Sequence, residues 1–447
     1  MRGTLDGSDR VNFLQDILAM AIILSIVVFI HEFGHFAVAK LFGFPVEVFS
    51  FGFGKRLVGF RWKETDYRIS ALPLGGYVRV TGLGPDESTT VGAGEGTAAV
   101  AGPRWQRALI MLAGPVMNFL LAISITAGIF MAGRKVPAYR LEAPVIRTIA
   151  ANSPGAAAGF LKGDRIVAID GSPTPTWQEA EFAFSVAPRQ KLSVEIDRGG
   201  ERRTLAVVPR AVSKFDLGFT GLGPALPPKI GRIVPRSPAA AAGFVPGDRI
   251  RSVNGQLVES ITDVTDAVAR FAPGPETFAV TRSGKDVDVP VSPRQEAGVW
   301  KIGVQLEPDV AEVVERFPPL EAVRQGWRSL RTDTQATLGV LSKLFQGKAS
   351  VKQMSGPIAI GQFAGEAARE GAGPFIALMG MLSLQLGILN LLPVPMLDGG
   401  QLAVIVIEGV IRRDFSLRVK ERILQFGFAL LVLLMGVVIY NDILKVF

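Results

Sequence analysis

The 447-residue sequence contains no cysteine and only two histidines. The lack of cysteine excludes disulfides and thiolate metal sites, so a metal would have to be bound by histidine, carboxylate or backbone oxygen. A net charge of +8 alone could suggest a nucleic-acid partner. The basic residues, however, lie beside long apolar runs, which is typical of membrane proteins, and we expect a lipid bilayer and no nucleic acid as partner.

Four segments are long and apolar enough to cross a bilayer, which requires about 20 mostly apolar residues in a helix. The first starts with the uncharged run 17–30 and continues to residue 44. The second is 108–132, the third is 374–411 and the fourth is 423–440. Asp398 is the only charged residue of the third segment up to position 407. No small-residue cleavage site follows the first run, so we interpret it as a span and not as a signal peptide.

The distribution of lysine and arginine predicts the orientation of these spans. Nine basic residues lie between the first two spans and five lie in the short link between the last two. Only two precede the first span and one follows the last. Because basic loops stay in the cytoplasm, we expect both termini and the long loop between the second and third spans on the outer side.

That long loop contains an internal repeat of 84 residues. Ser153-Pro-Gly-Ala-Ala-Ala-Gly-Phe-Leu-Lys-Gly-Asp-Arg-Ile recurs as Ser237-Pro-Ala-Ala-Ala-Ala-Gly-Phe-Val-Pro-Gly-Asp-Arg-Ile, and the copies end in Asp-Gly171 and Asn-Gly255. Each copy predicts a capped short helix, a turn into a strand and a hairpin turn. The copies resemble PDZ domains, which implies docking of peptide termini by strand addition. A rigid spacer or steric screen is the alternative.

Both histidines occur in His31-Glu-Phe-Gly-His35, inside the first span. Residues four apart project from one face of a helix, so both imidazoles can bind one zinc ion, with Glu32 beside them as a non-ligand. Zinc lowers the pKa of a bound water, and Glu32 can take its proton and pass it to the leaving amine. Polar side chains within a span are costly, which favours a functional site over ordinary packing.

Two histidines leave a catalytic zinc one protein ligand short. With no third histidine and no cysteine, we expect an intramembrane carboxylate, and Asp398 is the candidate. It lies in Asn390-Leu-Leu-Pro-Val-Pro-Met-Leu-Asp-Gly-Gly400, where prolines and glycines interrupt an apolar segment. Irregular backbone at that depth is tolerated where it lines protein or a wet cavity. A structural cap is the alternative for Asp398. The rival ligand, Glu408, is accounted for by an ion pair with Arg412.

The two paired motifs resemble those of the site-2 protease family of intramembrane zinc metalloproteases, in its bacterial form with tandem PDZ domains. The resemblance covers nearly the whole chain. It implies a bacterial inner-membrane enzyme that cleaves single-pass membrane proteins, such as anti-sigma factors or remnant signal peptides, within or near their spans. It also implies residue roles: zinc ligation by His31, His35 and Asp398, base catalysis by Glu32, and substrate positioning by Asn390 and Pro395.

Three further stretches have open interpretations. Residues 45–82 predict strands and turns, and the resemblance implies a membrane-associated β element whose edge holds an unwound substrate; a plain loop hairpin is the alternative. Asn118, in the second span, is a weaker substrate-binding candidate, because a proline kink alone could explain Gly114-Pro-Val-Met-Asn118. Residues 317–373 predict an amphipathic helix on the outer membrane surface or a solvated linker helix.

The expected fold class is a polytopic α-helical membrane protein with four transmembrane helices, a membrane-associated β element and two extramembrane α/β PDZ-like domains. The predicted segments are 1–44 (first span and zinc motif), 45–107 (β-rich cytoplasmic loop), 108–132 (second span), 144–228 and 229–316 (PDZ-like domains), 317–373 (linker), 374–411 (third span) and 423–440 (fourth span). Two other functions stay open: a scaffold with a degenerate histidine motif, and a metal or proton transporter lined by intramembrane histidine and aspartate.

Overall fold

The computed structural model describes residues 7–81, 102–212, 216–296, 298–346 and 356–446. Contacts divide the chain into a membrane unit, Met1–Arg134 with Arg316–Phe447, and a β-rich unit, Lys135–Glu315. The helices are α1 (Gly7–Leu41), α2 (Arg104–Ala132), α3 (Pro154–Ala157), α4 (Trp177–Ser185), α5 (Pro238–Ala241), α6 (Ile261–Ala269), α7 (Pro319–Phe345), α8 (Pro357–Glu370), α9 (Ala372–Asn390), α10 (Asp398–Ile411) and α11 (Leu417–Val446).

The strands of the membrane unit form one hairpin, and the remaining strands belong to the β-rich unit or its ends. The strands are β1 (Val46–Trp62), β2 (Thr65–Val80), β3 (Arg134–Pro137), β4 (Thr148–Ile149), β5 (Arg165–Ile169), β6 (Ser172–Pro173), β7 (Leu192–Arg198), β8 (Glu201–Val207), β9 (Arg210–Val212), β10 (Leu217–Phe219), β11 (Leu222–Gly223), β12 (Pro228–Ile233), β13 (Arg249–Val253), β14 (Gln256–Leu257), β15 (Glu276–Arg282), β16 (Lys285–Val291), β17 (Arg294–Glu296), β18 (Val299–Lys301), β19 (Val304–Pro308) and β20 (Glu312–Glu315).

Four of the described helices are long and apolar enough to cross a membrane, as the sequence predicts. They cover Asn12–Leu41, Arg104–Ala132, Ala372–Asn390 and Arg418–Leu444. The zinc motif lies within the first of them, so its histidines are helical and one turn apart.

Helices α1 and α2 approach each other closely beside the histidines. Gly34 permits this contact, since a Cβ atom there would lie 2.3 Å from the carbonyl oxygen of Ala113 on α2. The glycine inside the histidine motif is therefore explained by the packing of the second span against the first.

The third predicted span is interrupted, as its prolines indicate. Helix α9 ends at Asn390, and α10 begins at Asp398 after the link 391–397. Gly399 and Gly400 were also expected to interrupt the helix, but both belong to the first turn of α10. A Cβ atom at either position would lie within 2.3 Å of a carbonyl oxygen of the link, so these glycines permit a close backbone approach.

The β1–β2 hairpin folds back on itself beside α1. Residues 48–51 of β1 have partners at 66–69 on one side and at 76–79 on the other, while residues 56–62 pair with 65–70. Within the described residues, segment 76–80 of β2 is thus an edge of this small sheet. The sheet packs on α1 through Phe49, whose ring centroid is 4.6 Å from that of Phe36 and 5.2 Å from that of Phe29. Positions 82–101 of the predicted β-rich loop lie outside the described residues.

Part of helix α7 packs against the membrane helices α2 and α9. Gly326 lies against the backbone of α2 near Ala127, and Leu330 and Leu341 pack on a cluster from α2 and α9. Gln385 of α9 donates a hydrogen bond to Thr337 Oγ1 at 3.0 Å. Some apolar residues of α7 thus cover protein, while Leu320, Val323, Trp327 and Leu338 are exposed. A position on the outer membrane surface stays a prediction.

The β-rich unit contains the two repeats, each with its own buried core. The first has the sheet β6-β5-β7-β8; the second has the path β16-β15-β13-β12-β19, with β14 on β13. Ser153 and Ser237 cap α3 and α5 by accepting from backbone N–H groups three residues on, at 3.2 Å. Asp170-Gly171 and Asn254-Gly255 have positive φ and form the predicted hairpin turns.

The aspartate of each Gly-Asp-Arg-Ile motif is buried and binds an arginine 34 residues later. Arg198 donates to both carboxylate oxygens of Asp164 at 2.7 Å, and Arg282 donates to those of Asp248 at 2.8 and 2.6 Å. Burial disfavours ionisation of these carboxyls, but the arginine and a backbone N–H donor outweigh it and lower the pKa of both aspartates below the ordinary value. In each copy the aspartate–arginine pair thus joins the start of one strand to the end of its neighbour, β5 to β7 in the first and β13 to β15 in the second.

Candidate metal centre

Helices α1 and α10 bring three potential metal-binding atoms together inside the membrane unit. The Nε2 atoms of His31 and His35 lie 3.2 Å apart. Asp398 Oδ2 lies 3.0 Å from His31 Nε2 and 3.4 Å from His35 Nε2. Both imidazoles are buried, at 5% and 6% exposure. No other metal-type cluster of His, Asp and Glu occurs in the described part of the chain.

This triangle has the size that a tetrahedral zinc site requires. A zinc ion binds histidine nitrogen and carboxylate oxygen at about 2.0–2.1 Å, so neighbouring ligands of a tetrahedron are roughly 3.3 Å apart. The observed separations of 3.0, 3.2 and 3.4 Å agree with that value. Asp398 Oδ2 is also buried and accepts no hydrogen bond from the described residues, as expected of an atom directed at a cation. The residues therefore fit zinc.

Helix α2 contacts the Nδ1 atom of each imidazole, the nitrogen that does not belong to the triangle. His35 Nδ1 lies 2.7 Å from the carbonyl oxygen of Ile110. A carbonyl only accepts, so His35 carries its proton on Nδ1 and its Nε2 lone pair is free for a metal. His31 Nδ1 lies 3.2 Å from Nδ2 of Asn118, whose side chain is fully buried.

Glu32 is adjacent to the ligand cluster but does not belong to it. Its Oε2 accepts a hydrogen bond from the backbone N–H of Val78 at 3.0 Å. Val78 lies on the edge segment of β2, so the hairpin orients the carboxylate that the sequence predicts as the base. The second oxygen of the carboxylate is left for other partners.

The predicted substrate-binding residues occupy different places. Asn390 Nδ2 lies 3.4 Å from His31 Nε2, next to the ligand atoms. Asn118 instead contacts the opposite edge of the same ring. Pro395 lies in the link before Asp398, and Gly427 of α11 packs against it so closely that a Cβ atom would lie 2.4 Å from Pro395 O.

Glu408 does not belong to the cluster of potential ligands, as predicted. The predicted ion pair between Glu408 and Arg412 is wrong, because Glu408 pairs with Lys420. Its carboxylate is fully buried, lies 2.8 Å from Lys420 Nζ of α11 and accepts from the N–H of Phe415. Helix α10 ends at Ile411, and Arg412 has a left-handed φ of 58°. The helical i, i+4 geometry on which the prediction rested is therefore lost.

Sequence reasoning missed the contacts that support the ligands. Ile110 acts through its backbone carbonyl and Val78 through its backbone N–H, so neither side chain carries a signal. Gly114 faces both imidazoles from α2, and a Cβ atom there would lie 2.3 Å from His35 Nε2. The run Gly114-Pro-Val-Met-Asn118 was the available signal, because its first and last residues are one helical turn apart.

Fold and site together define a class of protein: a membrane protein with a candidate metal centre, in which two histidines of a spanning helix and one carboxylate lie within 3.4 Å of one another, with a second carboxylate beside them. The model of peptidase family M50 matches residues 19–434. The regulator of sigma-E protease RseP of Escherichia coli is 34% identical, over 96% of this chain and 99% of that protein. A protein of Xylella fastidiosa (strain Temecula1), which carries the name of a zinc metalloprotease, is also 34% identical, over 97% and 99%.

The chain thus belongs to peptidase family M50 and is a zinc metalloprotease.

Proposed function

We propose that this protein cleaves single-pass membrane proteins within or near their transmembrane segments, in the inner membrane of a bacterium. The observation that carries the proposal is the position of the ligand triangle, which lies between helices long enough to span the bilayer. The name of the Escherichia coli relative, a regulator of sigma-E protease, supports a role in sigma-factor regulation. The substrates that we propose are anti-sigma-factor-like proteins or signal-peptide remnants.

In this proposal His31, His35 and Asp398 hold the zinc ion, and Glu32 is the general base. Zinc, when bound, supplies Lewis-acid chemistry that polarises the scissile carbonyl and makes water more acidic. The Glu32 carboxylate, held by the N–H of Val78, takes a proton from the attacking water and transfers it to the leaving amine. Asn390 lies on the ligand side of His31, where its amide can donate to a substrate carbonyl.

A helical substrate has to be unwound before its peptide bonds become accessible, and we propose that the edge segment 76–80 holds it extended. Strand addition supplies backbone hydrogen bonds to a chain that has lost its own. The edge lies next to Glu32, as the Val78 contact requires. Pro395 would contact substrate from the link between α9 and α10. Exposed apolar residues on 56–62, among them Phe60 and Trp62, support membrane association of the hairpin.

We further propose that the two repeats are PDZ-like domains on the periplasmic side, together with both termini. The same order of capped helix, strand, hairpin turn and second helix in each copy supports this assignment. In the second repeat β19 is an edge strand that could receive a peptide terminus. A steric screen that excludes bulky ectodomains is the other role open to these domains.

The test is Glu32→Gln, assayed with a co-expressed single-pass substrate and with zinc content of the purified protein. We expect normal zinc content and a loss of cleavage of at least about 10²–10⁴-fold, the usual contribution of a general base. Asp398→Asn serves as the matched variant and should lose zinc as well as activity.

Unchanged cleavage in Glu32→Gln would refute the assigned mechanism. A wild-type protein that conducts ions in vesicles and cleaves nothing would favour the transporter. A zinc-free wild-type protein would favour the scaffold.

A further inference from the structure

Helix α2 places two residues, Gly114 and Asn118, beside the two imidazoles. Gly114 and Asn118 are one turn apart and both face the imidazoles. Asn118 is fully buried, and its Oδ1 has no hydrogen-bond partner among the described residues. The side-chain amide of Asn118 therefore has its Nδ2 end at His31 Nδ1 and an Oδ1 end without a hydrogen bond, which is unusual for a buried amide.

The tautomer of His31 determines which end of this amide should face the ring. A neutral imidazole carries its proton on one nitrogen only. If Nε2 binds zinc, Nδ1 must carry the proton and needs an acceptor. A donating Nδ2 of Asn118 would instead select the tautomer with the proton on Nε2, which cannot bind a metal. A half turn of the amide about Cβ–Cγ exchanges its two ends. It places the unsatisfied Oδ1 at the position 3.2 Å from Nδ1.

We propose that Asn118 is a positioning residue of the zinc site: its Oδ1 accepts the Nδ1 proton of His31 and keeps the Nε2 lone pair directed at the metal. This inference rests on the proposed zinc ligation by His31. Asn118 thus does for His31 what the carbonyl of Ile110 does for His35. Both Nδ1 atoms are held by the same helix, so α2 orients the two ligands as one unit.

A positioning role replaces the substrate-binding role that the sequence suggests. Nδ1 and Nε2 lie on opposite edges of the imidazole, and the ligand atoms gather at Nε2. Asn118 is at the other edge and has no exposed surface. A substrate at the metal therefore meets Asn390 but not Asn118.

The experiment measures zinc affinity of the purified full-length protein in detergent, without substrate, by titration against a competing chelator. Asn118→Leu has similar volume and no acceptor, and we expect its zinc Kd to rise about 10–100-fold, the usual effect of losing such a partner. Asn118→Asp retains an acceptor and should bind zinc within a few-fold of the wild type. Ser383→Ala is the control: Ser383 donates to the backbone oxygen of Asn118 at 2.9 Å and does not contact His31.

A kinetic measurement separates positioning from substrate binding. With saturating zinc, Asn118→Leu should recover most of its kcat and keep the wild-type KM, whereas a substrate-binding residue would raise KM. Thermal unfolding and size-exclusion profiles establish that each variant is folded. Wild-type zinc affinity in Asn118→Leu, or equal losses in the Leu and Asp variants, would overturn the inference.

His31→Ala distinguishes failure of this inference from failure of the proposed ligand set. If His31→Ala binds zinc normally, the ligand set itself is wrong. If His31→Ala loses zinc while Asn118→Leu binds it as the wild type does, only the role of Asn118 is wrong.

Discussion

At the scale of single residues, the site depends on Gly114, whose lack of a side chain leaves room for the two imidazoles. Gly114 lies where α2 comes nearest to the two imidazoles. A Cβ atom there would lie 2.3 Å from His35 Nε2 and 2.7 Å from His31 Cε1. Real Cβ contacts are essentially never that short, so any larger residue has to displace the rings whose nitrogens are the proposed ligand atoms.

Gly114→Ala is therefore expected to weaken zinc binding by at least about tenfold, while helix propensity alone would favour alanine by about 1 kcal/mol. Competitive zinc titration measures the effect. Gly128→Ala is the matched control on the same helix, since a Cβ atom at position 128 meets nothing within 4 Å. Equal zinc affinities in the two variants would mean that the imidazoles do not occupy the space that Gly114 leaves.

The sequence proposes a ligand set because both histidines of the chain stand in one motif and cysteine is absent. A carboxylate in an apolar segment was the expected third ligand. The structure places Asp398 3.0 Å from His31, while its role as a ligand stays a proposal. The supporting contacts could not be predicted. They depend on how α2 is rotated against α1, and a backbone carbonyl such as that of Ile110 has no side-chain signature.

At the scale of elements, a hydrogen bond joins the hairpin to the proposed catalytic carboxylate on α1. The N–H of Val78 donates to Glu32 at 3.0 Å, and this N–H belongs to an edge segment with no further strand beyond it in the described structure. An edge N–H that is not used in the sheet can be used for catalysis, and here it holds the carboxylate in one direction.

Val78→Pro removes this donor at an edge position, where proline is best tolerated in a sheet. We expect zinc content to persist and kcat to fall about tenfold or more, a part of the ~10²–10⁴-fold that a general base contributes. Val78→Ala keeps the N–H and should retain most of the activity. If the two variants have the same kcat, the backbone of the hairpin does not orient Glu32.

Element existence was easier to predict than element placement. The repeat copies gave the capped helices and hairpin turns correctly, because serine caps and Asp-Gly or Asn-Gly turns act locally. Helix α7 was predicted as amphipathic but not as a neighbour of α2, since a periodic pattern specifies an apolar face and not its partner. Gly399 and Gly400 were predicted to interrupt the helix, because the sequence does not show that they allow a close approach of the backbone.

At the scale of the whole molecule, the distribution of basic residues predicts which side of the membrane each region occupies. The link between α10 and α11 and the residues around it carry five basic side chains, whereas the segment before α1 carries two. This distribution predicts the β-rich unit on the outer side of the membrane and the basic link in the cytoplasm.

The orientation can be tested directly because the chain has no cysteine, so a single introduced thiol is the only one. Lys191 is exposed in the β-rich unit and Arg413 is exposed in the α10–α11 link. In intact spheroplasts we expect a membrane-impermeant maleimide to label Lys191→Cys but not Arg413→Cys, which should react only after permeabilisation. The unmodified chain provides the blank. Labelling of Arg413→Cys alone in intact spheroplasts would mean that the protein is inverted, with its β-rich unit in the cytoplasm.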